Sequence, residues 1–221
     1  MVEGFRLMTG GTIMAARTAI SEKGNGSWSP VFHVGGGFHH AFANHGEGFC
    51  LFNDVAIAVR LLLQAGAIER AAIVDLDVHH GNGTAFIFAS EPRVFTFSMH
   101  QEYNYPAFKP KGSLDVGLPD GATDPLYLDR LASSLDQVFA ARPELVLYLA
   151  GADPFVGDQL GGLALTKGGL RERDRMVLSA CRAHGTPIVV VLAGGYARDV
   201  EDTVDIHVAT FEEVLRVNRA V

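Results

Sequence analysis

The stretch Val74-Asp75-Leu76-Asp77-Val78-His79-His80-Gly81 sets two carboxylates and two imidazoles at the end of the apolar segment Ala71-Ala72-Ile73-Val74. That segment reads as a buried strand running from Ala71 to Asp77. Residues two apart on a strand share a side, which groups Asp75, Asp77 and His79. A carboxylate beside an imidazole at a strand's carboxyl end suits a divalent cation, and open α/β sheets place their ligands at that end. A polar loop, with Asp77 capping a turn and His79 in solvent, fits the same residues equally well. The rest of the chain separates the two readings.

Elements must position these groups, and the pattern supplies them. Thr12 to Lys23 reads as a helix ended by Gly24, and Val31 to Val34 as a short strand. Asn53-Asp54 offers an N-cap to the apolar helix Val55 to Ala65, which Gly66 closes. After the strand Ala71 to Asp77 come a short helix near Thr84 to Ala89 and a strand from Val94 to Met99. Asp124 caps, and Pro125 opens, an amphipathic helix reaching Ala141. Then follow a strand Leu145 to Ala150, a helix Lys167 to His184, a strand Pro187 to Ala193 and a helix Asp199 to Arg216. This alternation implies right-handed crossovers and a mostly parallel α/β sheet covered on both faces.

The unusual polar residues cluster after the strands. Gly35-Gly36-Gly37-Phe38-His39-His40 follows the first, the Asp/His run the second, Ser98 and His100 end the third, Gly151-Ala152-Asp153 follows the fourth and Gly194-Gly195-Tyr196 the last. In a parallel sheet all these ends face one crevice. Asp153 then adds a third ligand to Asp77 and His79, a set open enough for catalytic zinc and rich enough in carboxylate for Fe(II), Co(II) or Mn(II). His39 and His40 read as acid and base beside a metal-activated water, with Asp75 orienting His39 and Asn82 bonding His40. Tyr196 is placed to donate to an oxyanion, and Gly48-Phe49-Cys50 to wall a pocket.

Composition narrows the class. The 221 residues are 48% hydrophobic, enough for one domain over 1–221 with a sizeable core. Lys and Arg total 18 against 25 Asp and Glu, a charge of −7 without a basic block, which argues against nucleic acid. No apolar run is long enough to span a membrane, and the start lacks the pattern of a signal peptide. Two cysteines, Cys50 and Cys181, are too few for a disulfide framework and favour a cytoplasmic setting.

Together the motifs at 35–41 (GGGFHHA), 48–54 (GFCLFND), 74–84 (VDLDVHHGNGT), 151–153 (GAD), 157–163 (GDQLGGL) and 194–196 (GGY) resemble the zinc-dependent histone deacetylase family, with its bacterial amidohydrolases and acetylpolyamine amidohydrolases. The resemblance runs from about residue 10 to the C-terminus. It implies an arginase/deacetylase-like three-layer α/β/α fold, a catalytic Zn²⁺ on Asp77, His79 and Asp153, and His39, His40 and Tyr196 as catalytic groups. It further implies a substrate tunnel walled by Gly48, Phe49, Leu160, Gly194 and Gly195. A structural potassium ion would use Asp75 and Ser98 with main-chain oxygens of Asp77, His79 and Met99. Arginase, the rival within the fold, needs further carboxylates where this chain has Gly81 and Phe155, so one catalytic metal is expected.

The implied reaction is hydrolysis of an acylated amine, an acyl-lysine peptide or a small amide, with esterase action or a non-catalytic metal- or acyl-lysine-binding remnant as alternatives. Two departures from the family matter. Asn82 replaces an aspartate found in many eukaryotic members, which weakens the orientation of His40. The first strand, helices and rim loops that relatives carry ahead of residue 10 are lacking, so a more open site, a bared apolar surface and a homo-oligomer are expected.

Overall fold

The computed structural model describes residues 1–24 and 28–219. Its elements follow the order α1 (Val2–Gly24), β1 (Val31–His33), α2 (Asp54–Gln64), β2 (Ala71–Asp75), α3 (Asn82–Phe88), β3 (Val94–Gln101), β4 (Leu114–Leu118), α4 (Asp124–Ala140), β5 (Leu145–Leu149), α5 (Lys167–Ala183), β6 (Ile188–Val191) and α6 (Val200–Arg219). All strand pairs are parallel, in the order β1-β6-β5-β2-β3-β4.

The central strands alternate between two cores, as the pleat requires. Leu145, Leu147 and Leu149 of β5 pack with Ala16 of α1 and Val55 and Val59 of α2. Val146 and Tyr148 face the other way, against Leu131 of α4, Leu170 and Val177 of α5 and Ile206 of α6. The result is the expected α/β/α sandwich, and both faces of β2, β5 and β6 are buried. Each fully buried Leu or Val contributes about 1.5–3 kcal/mol, so these strands anchor the loops that follow them.

Asn53 caps α2 as anticipated, its side-chain oxygen accepting from Ala56 N. Elsewhere four expectations are corrected. Helix α1 starts at Val2 instead of Thr12 and runs through Gly10-Gly11. The pair does not break it: a Cβ on Gly11 would stand against the His33 ring, so glycine lets helix and strand approach. Strand β2 stops at Asp75, two residues early, because the backbone N–H groups of Asp77 and His79 turn to side-chain acceptors, Asp75 Oδ1 and Asp77 Oδ1. Strand β3 runs on to Gln101, so Ser98 and His100 lie within it and not at its end. Asp124 is the first residue of α4 and not its cap; its carboxylate instead accepts from the N–H and hydroxyl of Thr166, the N-cap of α5.

Strand β4 is absent from the pattern-based reading. It is an edge strand with alternating exposure and an internal Gly117, too short and polar to announce itself. Val200, Val204, Val208, Phe211 and Leu215 are exposed on α6, and Phe211 meets Phe32 of the other edge strand, β1, at a ring distance of 5.5 Å. Among the described residues no helix is long and apolar enough to cross a membrane.

Candidate active site and metal centre

Three groups that can ligate a metal converge beyond β2 and β5. Ligand atoms of Asp77, His79 and Asp153 all lie within 4.8 Å of one another. One oxygen of each carboxylate is pinned by backbone: Val78 N donates to Asp153 Oδ1 at 2.9 Å, and His79 N to Asp77 Oδ1 at 2.9 Å. Asp153 is fully buried, yet its Oδ2 makes no hydrogen bond; His79 Nδ1 is 3.4 Å away. A Cβ on Gly194 would fall against that same oxygen and Asp77 Oδ2, so glycine keeps the space beside them clear. A buried carboxylate oxygen without a partner, next to an imidazole and a second carboxylate, fits a divalent cation.

Without a cation the cluster retains protons. Burial raises the Asp153 pKa, and the charge of Asp77 adds to this, to about 7. Burial lowers that of His79, but the close carboxylates of Asp153 and Asp77 outweigh it and lift the group to about 10. Burial raises Asp77 too, and the neighbouring histidines overcome this and hold it below the usual carboxylate range. A metal must displace the His79 proton, which is present below about pH 10 and opposes binding more strongly as pH falls. Between pH 7 and 10, uptake is therefore expected to release about one proton per ion, with apparent affinity climbing about tenfold per pH unit. Titration calorimetry in buffers of differing ionisation enthalpy measures this, and a pH-independent affinity would count against His79 as a ligand.

The triple-glycine loop after β1 brings His39 and His40 over this cluster. His39 Nδ1 lies 2.7 Å from Asp75 Oδ2, and His40 Nδ1 lies 2.7 Å from Asn82 Oδ1. Both acceptors are oxygens, so both Nδ1 atoms carry protons. The two Nε2 atoms are 3.1 Å apart and share one more. Burial lowers the pKa of His39, but the carboxylates of Asp75 and Asp77 reverse this and raise it to about 9. Burial and the charge of His39 drive His40 down to about 3. The pair is thus split into a charged donor, His39, and a neutral acceptor, His40.

These groups open into a cavity of about 520 Å³, a size suited to a small ligand. Gly48, Phe49, Leu160 and Gly194, four of the five walls implied by the resemblance, line it, and so does Tyr196. Gly195 does not: it faces Thr203 and Ala152 behind the wall. Gly48 (φ 52) adopts a left-handed conformation, and a Cβ there would strike the His40 ring. Phe49 stands 78% exposed at the mouth. Burial, with the charges of Asp77 and Asp153, raises the Tyr196 pKa, so its hydroxyl remains a donor. Cys50 also lines the cavity, but burial pushes its thiol up to about 12, which removes a thiolate nucleophile from consideration.

Comparison with known proteins agrees with this geometry. The family model described as the histone deacetylase domain matches residues 1–211. The chain belongs to the histone deacetylase family. An uncharacterized protein of Picosynechococcus sp. is 50% identical over 199 residues, 90% of this chain and 64% of that protein. The histone deacetylase-like amidohydrolase of Pseudomonas aeruginosa is 30% identical over 206 residues, 87% and 53% of the two chains. Among solved structures, the HDA15 HD domain superposes with a TM-score of 0.80 at 28% identity, covering 96% of this chain and 63% of that one. This deacetylase-family chain therefore spans between about half and two thirds of the length of these relatives.

Several residues that build the deacetylase-family site carry no signal of their own in the sequence. Buried Asp54 accepts from Gly37 N and Phe38 N and, at 2.5 Å, from the Thr12 hydroxyl, which holds the histidine loop to α1. Asp158 accepts from Leu160 N and Gly161 N and from Tyr196 N, so one carboxylate fixes two walls. Its neighbourhood, Gly157-Asp158, belongs to a recognised motif, which was the available clue. Asn104, Tyr105 and Glu47 reach the cavity or its rim from segments without a strand-end pattern. Ser98 stands in register with Asp75 on the adjacent strand and contacts His100 at 3.0 Å.

Proposed function

We propose that this chain hydrolyses acylated amines of the N-acetyl-lysine kind, using a divalent cation, zinc by resemblance to the family, held by Asp77, His79 and Asp153. The observation that supports this reading most is the opening of one cavity onto a carboxylate–imidazole cluster in which Asp153 Oδ2 has no partner, a charged and a neutral imidazole, and a phenol. When bound, such a cation supplies Lewis acidity to the acyl carbonyl and acidifies a water molecule. His40, held neutral, takes the proton of the attacking water at Nε2. His39, held charged, gives its Nε2 proton to the departing amine. The 3.1 Å Nε2 contact then returns a proton from His40 to His39 and resets the pair. The Tyr196 hydroxyl donates to the acyl oxygen as that atom gains charge. The register of Ser98 against Asp75 supports a second, structural potassium ion there, with main-chain oxygens of Asp77, His79 and Met99 completing its shell.

Exposure of Phe49, Leu160 and Tyr196 at the mouth favours a second reading, hydrolysis of short-chain or aryl esters, which demand a weaker grip than amides. Parallel assays on an acetyl-lysine coumarin amide and a nitrophenyl acetate rank the two. Turnover of either is expected to disappear on dialysis against a strong chelator and to return with Zn²⁺ or Co²⁺. Undiminished turnover by the metal-free chain overturns the proposal.

A further inference from the structure

We infer that Glu47 is a positioning residue: it fixes which way the Asn82 amide faces and thereby which nitrogen of His40 carries the proton. The inference rests on the hydrolytic reading for its consequence, but its geometry stands apart from it. Asn82 is buried and bridges two groups, with Oδ1 2.7 Å from His40 Nδ1 and Nδ2 donating to Glu47 Oε1 at 2.7 Å. An amide has a donor end and an acceptor end, and His40 alone is satisfied by either. Turned over, Asn82 would donate to Nδ1, move the imidazole proton to Nε2 and leave no lone pair facing His39 and the cavity. A carboxylate has no proton to give, so only the NH₂ end can face Glu47.

Glu47 is itself held in place. Its backbone exchanges hydrogen bonds with Cys50, Glu47 N to Cys50 O at 2.9 Å and Cys50 N to Glu47 O at 2.8 Å. The Tyr105 hydroxyl donates to the same Oε1 at 2.8 Å, and the Tyr105 ring packs edge-on to His40 at 4.9 Å. Burial raises the Glu47 pKa slightly, and the bonds from Tyr105 and Asn82 reverse this, so the acid stays ionised and acceptor-only. The neutral Asn82 thus links the imidazole of His40 to a carboxylate beyond it.

The test uses the metal-loaded full chain with three variants: Glu47→Gln, Asn82→Asp and the two combined. Glutamine can face Asn82 by either end, so Glu47→Gln is expected to lower kcat about tenfold with KM within about twofold. Nitrogen-15 spectra of the imidazoles should then show His40 divided between tautomers, against a single Nδ1–H form in the parent. Asn82→Asp alone sets two carboxylates against each other and should also lose about tenfold in kcat. The double variant restores one donor facing one acceptor and is expected to return to within about threefold of the parent. A purely structural role for Glu47 gives no such recovery. The inference is overturned if Glu47→Gln keeps both kcat and the Nδ1–H form, or if the double variant is no better than Asn82→Asp. Should the parent turn over neither amide nor ester, the hydrolytic reading fails, and the tautomer measurement alone then decides the role of Glu47.

Discussion

Alanine in place of His40 is expected to lower kcat by about 10²- to 10⁴-fold, the range typical of a lost general base, while metal content stays at the parent value. His40 touches neither carboxylate ligand by hydrogen bond; its partners are Asn82 through Nδ1 and His39 through Nε2. The ligand cluster keeps its own anchors, Val78 N, His79 N and Gly194 N, none of which involves His40. Loss of turnover with retained metal therefore separates proton transfer from metal capture. His39 also changes, because the lost imidazole was the acceptor for its Nε2 proton. Measuring kcat per bound ion on the acetyl-lysine amide, with added imidazole as rescue, reads the effect. An unchanged kcat per ion removes His40 from the mechanism and favours a non-catalytic binding role.

Methionine in place of Arg173 is expected to destabilise the chain by about 3–5 kcal/mol, the usual cost of stranding one partner of a buried ion pair. Arg173 is fully buried between α5 and the sheet. Its Nε donates to Asp174 Oδ1 at 2.9 Å, and its Nη1 to Gly151 O at 2.6 Å. Asp174 also accepts from the Tyr148 hydroxyl and, at 2.6 Å, from Thr210. Methionine fills part of the space but leaves Asp174 charged and poorly compensated in the core. Changing both residues, Arg173→Met with Asp174→Leu, should recover most of the loss, since an apolar pair often matches a buried ion pair in stability. Urea midpoints of the metal-free chains measure both. A midpoint for Arg173→Met equal to that of the parent would show that the guanidinium contributes nothing net. Gly151 lies two residues before Asp153, so the same variant is also expected to weaken metal retention.

Much of this architecture was legible because it rests on local regularities. Apolar runs such as Leu145–Leu149 and Ile188–Val191 marked buried strands, and a parallel sheet then fixed where Asp77, His79, Asp153, His39 and Tyr196 must gather. What escaped notice depends on contacts without a sequence signature. Gly11 sits in mid-helix against His33, on another element, and the expected helix began only after it, at Thr12. Glu47 looks like an ordinary loop acid and Asp158 is marked only by the motif at 157–163; the fold reveals that each one binds two or more groups at the cavity wall. Arg173 and Asp174 share the helical stripe of Leu170, Val177, Leu178 and Cys181 and are buried with it, although their charges alone read as solvent-facing. Gly195 went astray for a simpler reason: neighbouring residues in a loop face different ways, and only Gly194 turns to the ligands.

Strand β1 pairs only with β6, the last strand to be synthesised. The loop bearing His39 and His40 leaves β1, so the strand that feeds it gains its sheet partner only when residues 188–191 have entered the sheet. Asp77, His79 and Asp153 all precede that point in the chain. During translation, then, Asp77, His79 and Asp153 all emerge before the strand that leads to the histidines has its sheet partner. Under the proposed function, a chain ending ahead of β6 lacks the partner of β1 together with Gly194 and Tyr196, and it is expected to be hydrolytically inactive.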